Sequence, residues 1–444
     1  MTAVRSEPTP HSGCLCSHGQ QGATAPVANG AKAAPRQLIP DSEARKTVQN
    51  TITSLQPTLK ELSLYIHSNP ELKYAEFKAH ARLTDFLKEE GFEVENYPDI
   101  PTAFKVSYTH GKEGEGRTFG YNSEYDALPG IGHACGHNLI AVSGVAALLS
   151  LREAMKKHDI PGKVVLIGTP AEEGGGGKVK LLDAGAYKGL GACMMIHPGR
   201  GPSKTGQVGP TLAVTPLEVD FYGHPAHAAS APWEGINALD AAVSTYTAIS
   251  NLRQQLKPGI RVHGIIAKGG DAPNIIPEHT QMKYSVRAQT SAQVEETLKK
   301  ITACIEAGAK ASGCAFKIQQ GLGLYKELIN VEALAQEYAS TMSELYGITI
   351  AVGNDEENMI YASTDFGNVT YELPACHPMF GIPTVPNGAN HTAEFTAVAG
   401  SDEGHEETWK ASTGMACVGL RFLTDDGFAK QVRQDFERDQ KRLN

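Results

Sequence analysis

The apolar positions divide the chain before any chemistry is considered. Val48, Ile52, Leu55, Leu59 and Leu62 recur at spacings of three and four, which predicts a helix from about Asp41 onward. A second amphipathic stretch covers 76–90 and stops at Gly91, a residue suited to the turn that follows a helix. Strands are then predicted at 117–121, 163–168 and 192–196, and helices at 138–157 and 179–184. Strand, helix and strand in alternation imply a mostly parallel sheet covered by helices.

The pattern changes near Leu212. Strands are expected at 215–222, 262–267, 281–287 and 315–320, and helices at 237–255 and 291–311. The resulting β-α-β-β-α-β order is that of a ferredoxin-like unit, and about 110 residues is a natural size for an inserted domain. Helices at 331–346 and 406–423 follow, and no internal repeat is visible. The expected class is therefore α/β. A three-layer domain over 41–211 and 325–444 is interrupted by a smaller α+β domain over 212–324 and preceded by a disordered tail, 1–40.

Composition narrows the partners. The 444 residues are 41% hydrophobic and 20% charged, with 49 acidic against 40 basic side chains and a formal net charge of −9. Such a chain has no basic field to attract nucleic acid or an anionic membrane, so a small-molecule substrate is expected. The first forty residues hold no apolar run of signal-peptide or membrane-helix length. Cys14 and Cys16 lie in that tail, and Cys193, Cys304 and Cys417 sit in apolar or helical segments as buried thiols. No spacing suggests a disulfide framework, and a reduced, cytoplasmic setting is expected.

Three segments that follow predicted strands carry most of the candidate chemistry, and loops at the carboxyl ends of strands line the crevice of an open α/β sheet. The first runs from Ser123 through Asp126 and Pro129 to His133, Cys135, His137 and Asn138. The second is Thr169 to Gly174, containing Glu172 and Glu173, and the third is His197 at the end of the run 193–196. Cys135 and His137 offer a thiolate and an imidazole, with a glycine between them that permits a tight turn. A buried thiol beside a structural histidine is the plain alternative. Of the paired carboxylates on the glycine-rich turn, one can bind metal while the other stays free as a base. A phosphate cradle at 174–178 fails, because Val179 stands where a Ser or Thr is needed and the two glutamates would repel an anion. The deaminase pattern lacks its P-C-x-x-C half, and no G-x-S-x-G elbow occurs.

Together these segments resemble the M20 metallopeptidases and amidohydrolases from about residue 45 to the end. The resemblance includes 66–72, 126–129, 133–138, Glu172-Glu173, His197, 223–229 and 272–277. Cys-Gly-His looks like the amidohydrolase branch, and the wording of 123–138 with 390–392 looks similar to its dipeptidases of β-alanyl or γ-aminobutyryl conjugates of basic amino acids. The resemblance implies that Cys135 bridges two divalent metals, zinc with manganese or cobalt as alternatives, and that His137, Glu173, His197 and His391 complete the set. It implies that Glu172 is the general base and that Asp126 orients a ligand imidazole. It further implies that 212–324 is a lid and dimerisation domain of a homodimer. There His227 reaches towards the developing oxyanion, often from the partner subunit, and Asn274 and Arg287 contact the substrate carboxylate. Two departures bear on substrate class: Asn122-Ser123-Glu124-Tyr125-Asp126 replaces Arg-Ala-Asp-Met-Asp, and Asn138 replaces an aspartate. His133, His224 and His377 receive no role. Hydrolysis of an amide or peptide bond is the expected reaction. Amide synthesis through the same site and a non-catalytic binding protein are the competing readings.

Overall fold

The computed structural model describes residues 42–321 and 323–443, so the expected tail and its two cysteines lie outside the described residues. Helices α1 (Ser42–Ser68) and α2 (Phe77–Glu89) precede strands β1 (Glu95–Asn96), β2 (Phe104–His110) and β3 (Arg117–Glu124). Helix α3 (His137–Lys157), β4 (Gly162–Thr169), α4 (Gly177–Asp183), β5 (Ala192–Met194), β6 (His197–Arg200) and β7 (Thr205–Val208) follow. Next come β8 (Ala213–Tyr222), α5 (Ala238–Leu252), β9 (Arg261–Lys268), β10 (His279–Ala288), α6 (Ser291–Ser312) and β11 (Ala315–Gln320). The chain ends with α7 (Glu332–Tyr346), β12 (Thr349–Val352), α8 (Phe366–Glu372), β13 (Ala375–Cys376), β14 (Met379–Ile382), α9 (Ala393–Ala399), α10 (Asp402–Thr424) and α11 (Asp426–Leu443).

The largest sheet has the order β1-β2-β4-β3-β5-β13. β4, β3, β5 and β13 run parallel, and β1 and β2 form an antiparallel edge. The middle of β4, Val164 to Ile167, reads as a continuous apolar run because both faces are covered. Val164 and Leu166 of β4 point to a core shared with α1, α3 and α10, while Val165 and Ile167 point to a second core with Leu181 of α4 and Phe366 and Val369 of α8. Helix α3 is long and apolar enough to cross a membrane, but 94% of that window is buried between α1, α10 and the sheet, as in a core helix.

Two glycines let the helices lie flat on β3. A Cβ on Gly144 of α3 would stand 2.4 Å from Ser123 Oγ and 2.9 Å from Asn122 O. One on Gly419 of α10 would stand 2.1 Å from Tyr121 Oη.

The second sheet, β11-β8-β10-β9, is antiparallel throughout. Leu217, Val219 and Phe221 alternate onto one face, where they meet Ala241 of α5 and Ile301 and Ile305 of α6 in a separate core. Asn237 caps α5 by accepting from the amides of Leu239 and Asp240, which is why the helix begins one residue later than its expected start.

The third sheet, β12-β7-β14-β6, has no counterpart in the sequence expectation. The strand expected at 192–196 ends at Met194, and His197 opens β6 instead. The β5–β13 pair leaves the first sheet together and continues as β6–β14 in unbroken register: Ala375 faces Cys193 and Met379 faces His197. Pro198 and Pro378 remove ladder donors at this bend, so one apolar run serves two sheets.

Replacing Gly144 with valine forces α3 off β3 and should lower stability by ~3 kcal/mol in denaturant unfolding, the cost of overpacking a tight core. An unchanged unfolding midpoint would mean that the contact yields.

Candidate metal centre

The carboxyl ends of β3 and β4, the start of α3 and the start of β6 meet in one place. Gly136, at φ 74°, turns the chain into α3, and a Cβ there would lie 2.5 Å from Pro198 Cγ. This turn puts Cys135 and His137 at the start of the helix beside His197: Cys135 Sγ is 3.5 Å from His197 Nε2. His391 arrives from the loop before α9, whose backbone is tied to the Cys135 loop by a 2.8 Å bond from His391 N to Ala134 O. Its Nε2 lies 3.3 Å from Glu173 Oε1.

Hydrogen bonds fix how these groups point. Asp126 holds two of them, with Oδ1 3.1 Å from His137 Nδ1 and Oδ2 accepting from Glu173 N at 2.9 Å. His137 Nε2 is thereby aimed at the interior, buried and without a hydrogen-bond partner among the described residues. His197 Nδ1 donates to Pro198 O at 2.7 Å, so its Nε2 lone pair faces Cys135. Cys135 consequently belongs to two donor groups, Cys135/His137/His197 and Cys135/Glu173/His391, with the ligand atoms of each within 4.8 Å of one another. Soft thiolate, imidazole and carboxylate donors, with an orphaned imidazole nitrogen among them, fit a pair of divalent cations.

The glycine-rich turn is not a loose one. Ala171 and His391 both hold positive φ, 58° and 70°, a costly conformation for residues with a Cβ and one that clusters at functional sites. Glu76 steadies the turn by accepting from Ala171 N at 2.9 Å, and Tyr74 Oη donates to Gly175 O at 2.5 Å.

Electrostatics follow from burial of like charges. Burial, with the charges of Glu124, Glu173 and Asp365, pushes the Glu172 carboxyl well above the usual range. Burial alone would raise the Cys135 thiol, but the charge of His197 and the nearby imidazoles of His137 and His391 hold it well below its ordinary value. Hydrogen bonds to Cys135 and Glu173 push His391 up to about 10. The raised Glu172 and His391 express an excess of negative charge that a cation would answer, and the lowered Cys135 is a thiolate suited to bind one.

Part of that excess is met by Lys178, a residue to which sequence reasoning gave no role. Its ammonium sits 2.5 Å from Glu124 Oε1 and 2.7 Å from Asp365 Oδ1, and all three side chains are wholly buried. Glu124 also approaches His137 Nε2 at 3.4 Å, and Glu172 does so at 4.0 Å. A lysine after four glycines carries no sequence mark of such a triad.

The centre opens into a cleft of about 850 Å³ lined by Cys135, Glu172, Glu173, His197 and His391 and by Arg287 of β10. Arg287 Nη1 donates to Ser363 Oγ at 3.0 Å. His227 and Asn274 do not line this cleft; both are exposed, and their strand segments pair through Ala228 N to Asn274 O at 3.0 Å. Of the unassigned histidines, His133 and His377 are buried with neither ring nitrogen hydrogen-bonded among the described residues, and burial lowers each to about 3. His224 is exposed. Cys193 and Cys417 are buried as expected, whereas Cys304 is half-buried.

The profile of peptidase family M20/M25/M40 matches residues 120–406. A human (Homo sapiens) Xaa-Arg dipeptidase is 40% identical over 395 residues, which cover 85% of this chain and 88% of that protein. One of the subunits of p-aminobenzoyl-glutamate hydrolase from Escherichia coli (strain K12) is 24% identical, covering 89% of this chain and 95% of that one. A dinuclear metal-binding peptidase of the M20 family from Bacillus subtilis shares the fold, with a TM-score of 0.60 at 20% identity, covering 83% of this chain and 99% of that one.

Replacing Lys178 with methionine leaves Glu124 and Asp365 buried without their cation, and should cost about 3–5 kcal/mol in thermal or denaturant unfolding. A variant as stable as the parent would show that the triad is not needed to hold these carboxylates.

Proposed function

Since this chain belongs to peptidase family M20/M25/M40 and is a hydrolase, we propose that it cleaves the amide or peptide bond of small dipeptide-like or N-acyl-amino-acid substrates, using two divalent cations. Cys135, His137, Glu173, His197 and His391 would hold them. The observation that carries this reading is the sharing of Cys135 between two donor groups, with Glu172 beside both. Thiolate and imidazole donors suit zinc, with manganese or cobalt as alternatives. When bound, such cations polarise a carbonyl and bring the pKa of water to about 7.

The residues of the chain then have separate tasks. Glu172, buried and with raised proton affinity, takes the proton of the attacking water and hands it to the leaving amine. Asp126 positions His137 and the Glu173 backbone. Arg287 faces the cleft without an ion-pair partner among the described residues, which supports its assignment to the substrate carboxylate, a task we extend to Asn274.

His227 Nδ1 accepts from the amides of Ala229 and Ser230, each at 3.2 Å, so its Nε2–H is the free donor. A donor of this kind aimed at the developing oxyanion contributes ~3 kcal/mol. Because His227 lies outside the lining of its own chain's cleft, we assign it to the cleft of a second copy. In this reading 212–324 is the lid and dimerisation domain, and 41–211 with 325–444 the catalytic domain. A reducing cytoplasm would keep Cys135 as a thiolate. The name of the human relative makes dipeptides ending in arginine the first substrates to try.

Glu172→Ala and His137→Ala should each abolish hydrolysis of a panel of dipeptides and N-acyl amino acids while circular dichroism stays that of the parent. Dialysis against a chelator should abolish it too, and zinc, manganese or cobalt should restore it. Parental activity in either variant rejects that residue's role.

A further inference from the structure

Where the proposed lid joins the rest of the chain, the start of β8 and the connection returning from β11 run side by side. Val214, the second residue of β8, and Tyr325, on the connection that returns from β11, exchange both backbone hydrogen bonds, each 2.9 Å. The bridge therefore ties Tyr325 directly to a strand of the β8–β11 unit.

The Tyr325 side chain does not stay with the bridge. It reaches into the turn that carries Glu172 and Glu173, where its hydroxyl accepts from Gly176 N at 2.6 Å and donates to Glu172 O at 3.1 Å. Both ends of the turn are thus held by one oxygen, which is buried. Burial and the charges of Asp365 and Glu172 raise the Tyr325 phenol far above its ordinary range, so it keeps the proton that the bond to Glu172 requires.

The turn needs such a hold. Ala171, Gly174 and Gly176 all occupy positive φ (58°, 82° and 65°), and the turn's own backbone bonds, Gly174 N to Glu172 O at 2.6 Å and Gly175 N to Ala171 O at 2.9 Å, are supplemented by cross-bonds from outside it. Tyr74 and Glu76 bind Gly175 O and Ala171 N from the segment before α2. Tyr325 alone among these contacts comes from a connection to the inserted segment.

We propose that Tyr325 is a positioning residue that ties the backbone of the general base Glu172 to the connection between the two parts of the chain, so that the seat of Glu172 depends on where the β8–β11 unit stands. The hydroxyl does not meet the reacting atoms. It acts through the peptide groups on either side of the turn, and its removal misplaces Glu172 without removing a donor to a metal or to substrate.

This inference rests on Glu172 being the base, and its test separates the two. In the full-length metal-loaded enzyme, Tyr325→Phe should lower kcat by between about ten-fold and a hundred-fold, with KM within about two-fold of the parent. Both metals should stay bound. Hydrogen–deuterium exchange in a peptide covering 172–177 should become faster, because Gly176 N–H has lost its acceptor. A kcat within about two-fold of the parent, an unchanged exchange rate, or loss of metal together with activity would each overturn the proposal. If the parent enzyme hydrolyses none of the panel, the catalytic reading fails by itself, and the exchange comparison still decides whether Tyr325 holds the turn.

Discussion

Buried negative charge governs this structure. Glu124, Glu172 and Asp365 are almost completely removed from water within 4.8 Å of one another, Asp126 is buried behind His137, and Glu173 and the Cys135 thiolate border them. Carboxylates so placed repel strongly in a medium that screens poorly, and each loses its hydration. The fold answers with one buried ammonium, Lys178, placed between Glu124 and Asp365, and with imidazoles drawn towards protonation. The remainder of the charge faces the cleft, where divalent cations would balance it. The close helix packing at Gly144 and the left-handed turn at Gly136 bring these groups together, and the strained Ala171 and His391 hold them there.

Three of the imidazoles are oriented from behind by a second group that leaves the working nitrogen free. Asp126 turns His137, Pro198 O sets the tautomer of His197, and the amides at 229–230 set that of His227. Pre-set tautomers and carboxylates lower the reorganisation required when charge moves in the reaction. The same economy explains why the glycine-rich turn, which looks loose in sequence, is pinned by Tyr74, Glu76 and Tyr325.

Much of this was legible in the sequence, because the signals were long and local. Five apolar positions from Val48 to Leu62 define α1, the runs at 163–168 and 138–157 fall on β4 and α3, and 315–320 coincides with β11. The segments chosen as ligand-bearing do converge, since strands that run parallel deliver their carboxyl ends to one edge. The rest depended on long-range pairing. β6, β7, β12 and β14 are four-residue strands, three of them interrupted by glycine or proline, and they exist only because each finds its neighbour. Lys178 is told from a phosphate-binding or surface lysine only by Glu124 and Asp365, 54 and 187 residues away. That His227 stands clear of its own chain's cleft was hinted at only by the family resemblance and not by the residues around it.

The central claim is that residues spread from 135 to 391 grip one pair of cations. Anomalous X-ray diffraction from a metal-loaded crystal, recorded on both sides of the metal absorption edge, tests it most directly. The account predicts two peaks about 3.5–4 Å apart, one on either side of Cys135 Sγ, the first reached by His137 and His197 and the second by Glu173 and His391. A single peak, or peaks remote from Cys135, would contradict it.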